Sequence, residues 1–406
     1  MIKTELFEMQ LDRGVVRYKA PEATAALKDA YKKFATQTSM VIAQRMAADY
    51  VRKKKAFEAS KTQYRKTGSL DMSRLASYLT SDDIFISKSI MKEGKSHGLV
   101  ITLDWSGSMR NSVLKMAIQA LITCKFAKAA GIEFQLSIFT DNDTSYNYST
   151  RNSFSSLNQT LLLDSTNSYS DMNEVFYHMC AYHHIGDTRS FTHEYANMLR
   201  DTFRMSGTPL AQSQVMSYIE ATRMRSNHGL QNVSIMYITD GDGSNLYSSN
   251  GSANHIVCPF TKRRYEYQKD KYNSYYKNPT PVINRMIRDA GFKTFNIYVY
   301  GSGHNQIDYY VSSNNPGLKT SDFAKERFES MLSLRNCANY DAVLFAPNNA
   351  FPNIAHISDD DEEETKATKA TKVTANTLKK QAGSHRRLAL IGEFIVNEIC
   401  KDFKVV

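Results

Sequence analysis

Short hydrophobic runs alternate with segments of helical periodicity through the middle of the chain. Runs typical of buried strands occupy His97–Asp104, Ile132–Thr140, Asn232–Asp240 and Phe292–Tyr300. Between the first two, apolar residues recur at helical spacing over Val113–Ala130. Continuous apolar strands separated by amphipathic helices are typical of a parallel sheet covered on both faces. The pattern therefore predicts an α/β protein with a doubly wound, mostly parallel sheet of Rossmann-like type.

Further segments extend this alternation on both sides. Strands are predicted at Asp83–Ser87 and Asp341–Phe345, and a polar turn with a short helix is predicted at Arg65–Tyr78. The remaining helices are predicted at His193–Arg204, Leu210–Met224, Pro281–Ala290, Ser321–Leu334 and Arg386–Phe403. The last of these carries an apolar face that should pack on the sheet, formed by Leu388, Ile391, Ile395 and Ile399.

Composition divides the chain into four regions. We predict a helical N-terminal extension over 1–66, the α/β domain over 67–346, a low-complexity linker over 347–384 and a C-terminal helix over 385–406. The linker contains the acidic run Asp359–Glu364, which we expect to be solvated rather than a calcium site. Stretches rich in Tyr, Ser and Asn near 141–191 and 244–278 are predicted to be loop insertions in the α/β domain.

The overall composition narrows the class of protein. With 406 residues, 42% of them hydrophobic, the chain can bury a large core. We expect a cytoplasmic protein without membrane contact, because no apolar run approaches membrane-spanning length and the start lacks the apolar stretch of a signal peptide. Five scattered cysteines predict reduced, buried thiols rather than disulfides or a structural zinc site.

Three polar features allow two interpretations each. The basic run Arg52–Lys55 suits either a solvated helix face or a docking surface for a partner. The cluster of His178, His183 and His184 suits a polar surface insertion better than a zinc site. The Lys- and Tyr-rich segment 262–277 suits a protein-binding loop or a nucleic-acid groove, and we favour the protein because binding loops are typically insertions beside a site such as the one described below. The net charge of +10 is spread over several segments, which also makes nucleic-acid binding the less favoured function.

One strand ends in a cluster of oxygen ligands. The run from Val100 stops at Asp104, and Ser106 and Ser108 follow in a tight turn. A carboxylate and two hydroxyls can converge on one hard cation, Mg²⁺ or Mn²⁺. Thr208 follows Gly207, which permits a tight loop, and Asp240 ends the strand that starts at Asn232. All five side chains should therefore meet at the carboxyl edge of the sheet.

The D-x-S-x-S spacing, followed by Thr208 and Asp240 in that order, resembles the metal-ion-dependent adhesion site (MIDAS) of von Willebrand factor A (VWA) domains. The resemblance implies that Asp104, Ser106, Ser108, Thr208 and Asp240 bind Mg²⁺ or Mn²⁺ directly or through water. It also implies that an acidic group of a partner completes the metal shell.

The motifs Asp104–Met109 and Ser206–Leu210, preceded by Thr67–Leu75, resemble the intracellular branch that contains the cobalt-chelatase T subunit (CobT) and its tailed-phage relatives. That resemblance implies an adaptor in the cytoplasm, the host's if the chain is phage-encoded, working with an AAA+ ATPase of the MoxR or CobS type or with an acidic client protein. The chain has no phosphate-binding P-loop and no nucleophile–base set, so we expect no catalysis of its own. A chelatase subunit and a nucleic-acid-binding module are the alternative functions.

Overall fold

The computed structural model describes most of the chain between residues 31 and 347, together with the C-terminal helix. The described residues are 16–17, 31–61, 63–70, 72, 78, 85–90, 96–141, 157–184, 205–240, 247–248, 251–252, 255–266, 279–300, 305–315, 317–328, 331–347 and 386–402.

Fifteen strands occur within these residues, and nine of them form one large sheet. The order across this sheet is β1-β6-β5-β4-β7-β12-β15-β14-β13, and the hairpins β2-β3, β8-β9 and β10-β11 are separate. The strands are β1 (Val16–Arg17), β2 (Gln63–Leu70), β3 (Phe85–Ile90), β4 (His97–Asp104), β5 (Glu133–Asp141), β6 (Leu157–Asp164), β7 (Asn232–Thr239), β8 (Tyr247–Ser248), β9 (Gly251–Ser252), β10 (His255–Val257), β11 (Arg264–Glu266), β12 (Lys293–Tyr300), β13 (Lys325–Phe328), β14 (Met331–Arg335) and β15 (Ala342–Pro347).

The five central strands, β5, β4, β7, β12 and β15, are all parallel. On the flanks, β6 runs antiparallel to β5, and β14 runs antiparallel to β15. The chain builds outward from β4 through β5 to β6, then returns to β7 on the other side of β4 and continues to β12 and β15. This order confirms the doubly wound α/β fold, and its direction reverses between β4 and β7, where such sheets bind ligands at the carboxyl ends of their strands.

Helices cover both faces of the sheet and enclose two hydrophobic cores. The α-helices are α1 (Ser39–Lys61), α2 (Val113–Ala129), α3 (Tyr169–His184), α4 (Leu210–Asn227), α5 (Thr280–Asp289), α6 (Asn305–Asn314) and α7 (386–399). Helices α1, α2, α3 and α7 form one core with the sheet, and α4, α5 and α6 form the other. Along β4, Leu99, Ile101 and Leu103 face the first core and Val100 faces the second. That alternation follows from the two-residue period of a strand.

The N-terminal helical segment belongs to the first core. It includes a π-helical turn at Phe34–Thr38, just before α1. The buried side chain of Lys125, on α2, donates to the Ala35 carbonyl and to Ser39 Oγ, the latter at 3.0 Å. Burial lowers the pKa of Lys125 to about 8. The hydrogen bonds of this lysine join the start of α1 and the turn before it to α2, and they give the buried ammonium group acceptors.

The C-terminal helix packs on the same core, as its apolar face predicts. Leu388, Ile391, Ile395 and Ile399 are all buried. Phe394 packs edge-on against Phe295 of β12, with ring centroids 6.0 Å apart. Gly392 lets α7 approach α1 closely, because a Cβ there would lie 2.7 Å from Met46 Sδ. A 3₁₀ turn, Cys400–Asp402, follows the helix.

Three expectations are corrected. Residues 157–184, predicted to lie in an insertion, form β6 and α3, because buried Met172, Phe176 and Cys180 give this polar-looking segment a core-facing helix side. The helix predicted over 321–334 is instead a short 3₁₀ turn followed by β13 and β14, which pair as a hairpin at the sheet edge. Residues 63–70 form β2 paired with β3, where a turn was expected.

Several predicted features lie outside the described residues. They include the helix at 193–204, the acidic run at 359–364, the side chains of His183 and His184, and residues 267–278 of the second insertion. Within the described part, all five cysteines are free and buried, as predicted. No described helix is long and apolar enough to cross a membrane.

Truncating Phe394 tests the packing of the C-terminal helix. Phe394→Ala leaves a cavity against Phe295, so we expect the free energy of unfolding to fall by about 3–5 kcal/mol in urea denaturation. The exposed neighbour gives a control, Glu393→Ala, which should change stability by less than about 0.5 kcal/mol. A loss below about 1 kcal/mol for Phe394→Ala would contradict the packing.

Candidate metal centre

The end of β4 places Asp104 at the centre of the candidate site. Asp104 is fully buried, and its Oδ1 accepts a hydrogen bond of 3.0 Å from the Ser106 amide. The 3₁₀ turn Gly107–Ser112 then carries the chain into α2, with the Met109 amide donating to the Ser106 carbonyl at 3.1 Å. This turn presents the hydroxyls of Ser106 and Ser108 on the same side as the buried carboxyl group.

Hydrogen bonds join the serines to the end of the neighbouring strand. Ser106 Oγ lies 2.9 Å from Ser108 Oγ, and Ser108 Oγ donates to Asp240 Oδ1 at 2.9 Å. Asp240 directly follows β7, the strand beside β4 across the point where the strand order reverses. The structure therefore brings together four of the five residues that the sequence predicts.

The loop that carries Thr208 lies beside the serine turn. The Gly107 amide donates to the Ser206 carbonyl at 2.9 Å, and Ser106 and Ser206 form an isolated parallel bridge. Thr208 itself is partly exposed, and in the described part of the chain its hydroxyl makes no hydrogen bond to the other four side chains. Its backbone carbonyl accepts from the Leu210 amide at 2.9 Å as α4 begins. The fifth predicted residue is thus adjacent to the cluster without being bonded to it.

The end of β5 holds the Thr208 loop in place. The Ser206 amide donates to Thr140 Oγ1 at 3.0 Å, and a Cβ on Gly207 would lie 3.2 Å from Asp141 Oδ2. The φ of Gly207 is not in the left-handed region, so glycine is needed here for this close approach rather than for its backbone freedom. Thr140, Asp141 and Ser206 were missed, although their position at a neighbouring strand end could have indicated the first two.

The two carboxyl groups repel each other in a poorly solvated position. Burial and the nearby Asp240 carboxylate raise the pKa of Asp104 to about 8, against the effect of its hydrogen bonds from Ser106. Burial also raises the pKa of Asp240, although the hydrogen bond from Ser108 opposes the shift. Asp104 Oδ2 is buried without a hydrogen-bond partner within the described residues. Such a group is costly unless a cation or a proton compensates it.

The donor set fits a hard divalent cation. Two carboxylates and two hydroxyls are the oxygen ligands that Mg²⁺ and Mn²⁺ prefer. The two oxygen–oxygen separations of 2.9 Å match the spacing of about 3 Å between adjacent ligands of an octahedral magnesium shell. Asp104 Oδ2 supplies a further oxygen in need of a positive charge. Asp104, Ser106, Ser108 and Asp240 could thus hold the ion, and Thr208 lies on the adjacent loop.

Two other predicted features lie away from this cluster. His178 and Cys180 are buried within α3, and no group of three or more His, Cys, Asp and Glu side chains among the described residues could hold a metal. The β10-β11 hairpin of the second insertion packs against α4, where Phe260 contacts Tyr218 with ring centroids 5.1 Å apart. At its turn, Arg263 pairs with Asp289 on α5.

The molecule is thus a doubly wound α/β protein with an oxygen-rich cluster where the strand order reverses. No protein-family model matches the chain, and no curated protein matches it.

Several solved structures show distant similarity. The vWF domain of the type V pili tip protein Mfa5 from Porphyromonas gingivalis is 10% identical, with 68% of this chain and 99% of that chain covered and a TM-score of 0.34. The pilus adhesin SpaC from Lactobacillus rhamnosus GG is 15% identical, with 51% of this chain but only 24% of the adhesin covered and a TM-score of 0.28. Proximal thread matrix protein 1 from the mussel byssus is 9% identical, with 53% and 41% covered and a TM-score of 0.27. At this similarity, the fold class rests on the strand order described above.

Asp104→Asn tests the charge balance of the cluster. The folded-state pKa of Asp104 lies above the ordinary value of about 4, so the folded protein favours the protonated carboxyl group. The stability that this proton contributes is fully present below about pH 4 and is lost as the pH rises through about 8. Without added metal, Asp104→Asn should lack this loss and should be more stable than wild type at pH 8.5 by at least about 1 kcal/mol. Thermal unfolding between pH 5 and 8.5 measures it, and identical pH profiles would contradict the assignment.

Thr140→Val tests whether β5 positions the Thr208 loop. The substitution keeps the side-chain shape but removes the acceptor of the Ser206 amide, so any affinity of the cluster for Mg²⁺ should fall about tenfold. Thr140→Ser keeps the hydroxyl and should bind as wild type does. Thr102→Val is a control on β4, because the Thr102 hydroxyl bonds Ser217 on α4 instead. Titration calorimetry measures the affinity, and an unchanged value in Thr140→Val would show that Thr140 does not position the Thr208 loop for metal binding.

Proposed function

We propose that this chain is a VWA-like, magnesium-dependent adaptor that binds a carboxylate of a partner protein. Asp104, Ser106, Ser108, Thr208 and Asp240 hold Mg²⁺, or Mn²⁺, directly or through water. The bound ion supplies a positive charge at the sheet edge, where it attracts an acidic side chain of the partner. The chain's own residues fix the ion and leave the acidic partner group to complete its shell.

The observation that carries this proposal is the buried carboxyl group of Asp104, whose Oδ2 has no hydrogen-bond partner among the described residues. The hydrogen-bonded hydroxyls of Ser106 and Ser108 lie between this group and the carboxyl group of Asp240. A cluster that served only to end strands would not need a buried carboxyl oxygen without a partner beside a second carboxyl group. A divalent cation compensates both charges at once. The same five residues are those of the MIDAS pattern in the sequence.

Binding fits the cluster better than catalysis. In the described part of the chain, no histidine, lysine or cysteine is hydrogen-bonded to any of the five residues. Among the described residues, no histidine, lysine or cysteine is thus bonded to the cluster where it could take a proton from a metal-bound water. We therefore favour protein recognition for this site.

The partner we propose is an AAA+ ATPase of the MoxR or CobS type, or an acidic client that such an ATPase remodels. Support comes from the motifs at Asp104–Met109 and Ser206–Leu210, which resemble the CobT branch, and from the lack of a P-loop in this sequence. An adaptor of this kind works in the cytoplasm, or in the host cytoplasm for a phage-encoded chain. The buried, free cysteines of the described residues suit a reducing compartment.

Trp105 gives a direct assay for metal binding. It is the only tryptophan in the sequence, it is fully buried between Asp104 and Ser106, and its ring lies 5.7 Å from that of Tyr182. Adding Mg²⁺ should change its fluorescence with a saturable dependence, and Asp104→Ala should abolish the change. The exposed Asp322 supplies a control, Asp322→Ala, which should titrate as wild type does.

The same variants test the adaptor role by pull-down of a co-expressed MoxR-type ATPase. Binding should require Mg²⁺, should be lost in EDTA and in Asp104→Ala, and should persist in Asp322→Ala. A folded Asp104→Ala variant that still retains the ATPase would reject metal-dependent recognition.

A further inference from the structure

A groove runs between α1 and α7 on the outer surface of the first helical layer. Its volume is about 1040 Å³. Both walls are described helices, and none of the lining residues belongs to the metal cluster or to the loops beside it. The lining residues are Gln37, Thr38, Val41, Ile42, Arg45, Met46, Asp49, Arg52, Lys53, Arg386, Ala389, Glu393 and Val396.

Close contacts at two points fix the walls of this groove. Gly392 brings α7 against Met46 of α1, with no room for a Cβ unless Met46 moves. Further along, Lys53 Nζ donates to Asn397 Oδ1 at 2.6 Å, which bridges the two helices. The groove is therefore a preformed feature of two packed helices, as binding sites usually are.

The floor of the groove is apolar and part of it is exposed. Val41 is 47% exposed, whereas Ile42, Met46 and Val396 continue the floor into the core. The apolar floor follows α1 from Val41 to Met46 and continues on α7, so it would suit the apolar side of an elongated ligand.

The rim of the groove is basic. Four cations, Arg45, Arg52, Lys53 and Arg386, face two acids, Asp49 and Glu393, which leaves a net charge of +2. Arg52 and Lys53 both pair with Asp49, and their hydrogen bonds hold the pKa of Asp49 below its ordinary value although burial acts to raise it.

Arg45 is exposed and makes no ion pair within the described part of the chain. Of the basic run Arg52–Lys55, Arg52 and Lys53 line the groove.

We propose that this groove docks an acidic amphipathic helix of a partner protein. A helix matches a trough between two helices, where its apolar residues at i, i+3, i+4 and i+7 meet an apolar floor. From Val41 to Lys53 the groove follows about 18 Å of helix axis, so the ligand needs about three turns. Carboxylates beside the apolar stripe meet Arg45 and Arg386 on the rim, which favours acidic over basic ligands. This docking does not use the metal.

Two matched peptides test the proposal with the full chain. Each has about 14 residues and the same leucine stripe at i, i+3, i+4 and i+7, with glutamate at the flanking positions in one peptide and lysine in the other. Fluorescence anisotropy should show saturable binding of the glutamate peptide and none of the lysine peptide. Binding should be unchanged in EDTA, so that failure of the metal site does not affect the result.

Variants then locate the binding site. The double variant Arg45→Glu with Arg386→Glu should weaken binding of the glutamate peptide at least tenfold, and Val41→Asp should do the same through the floor. Lys319→Glu, an exposed charge reversal elsewhere, is the control and should bind as wild type does. Circular dichroism confirms that each variant is folded.

Three results would overturn the proposal: equal binding of both peptides, wild-type affinity in the folded groove variants, or binding that occurs only after residues 359–364 are deleted. The last result would assign the groove to the chain's own acidic run instead of to a partner.

Discussion

The buried carboxyl group of Asp104 is the constraint on which the rest of the site depends. A parallel strand covered on both faces delivers this group to the sheet edge, where little water can reach it. Asp240 arrives from the adjacent strand and adds a second negative charge. Two carboxyl groups so placed are unfavourable unless a positive charge compensates them. A cation bound among the surrounding oxygen atoms would supply that charge. The serine turn supplies neutral oxygens, and the loop from Met205 to Thr208 closes against that turn.

The position of those groups is set by distant parts of the chain. Thr140, at the end of β5, fixes the Ser206 amide, and the parallel pairing of β4 with β7 fixes the separation of Asp104 from Asp240. The sheet in turn needs both helical layers, including the segment around α1 held by Lys125 and the C-terminal helix held by Phe394. The candidate metal centre at the strand ends is thereby supported by α1 and α7, whose groove-lining residues lie outside the cluster.

Most of the central fold could be predicted from the sequence, because fully buried strands and their connecting helices have a strong periodic signal. The β4, β7 and β12 strands and the α2 and α4 helices were predicted this way. The signal failed where buried residues are of polar types or where a strand is mostly polar. In α3, residues 175–181 are all buried, and Tyr177 and His178 among them gave the segment a polar composition that concealed a helix. Three of the four residues of the edge strand β13 are polar, and Met331 and Leu334 of β14 also fit a helical spacing.

The site was predictable to a similar extent. Side chains that follow buried strands can be recognised by type and order, which is how Asp104, Ser106, Ser108 and Asp240 were found. Thr140 and Ser206 act through one hydroxyl and one pair of backbone groups, which leave no signature in a single sequence. The reason for Gly207 also needed the structure, because the side chain that crowds it comes from β5.

Crystals grown with Mn²⁺ would test the central claim most directly, by anomalous diffraction at the manganese edge. We expect one strong anomalous peak among the Ser106 and Ser108 hydroxyls and the Asp104 and Asp240 carboxyl groups. We also expect the peak to be lost in Asp104→Ala. A fully ordered cluster with no peak at saturating Mn²⁺, or a peak retained in Asp104→Ala, would contradict the claim.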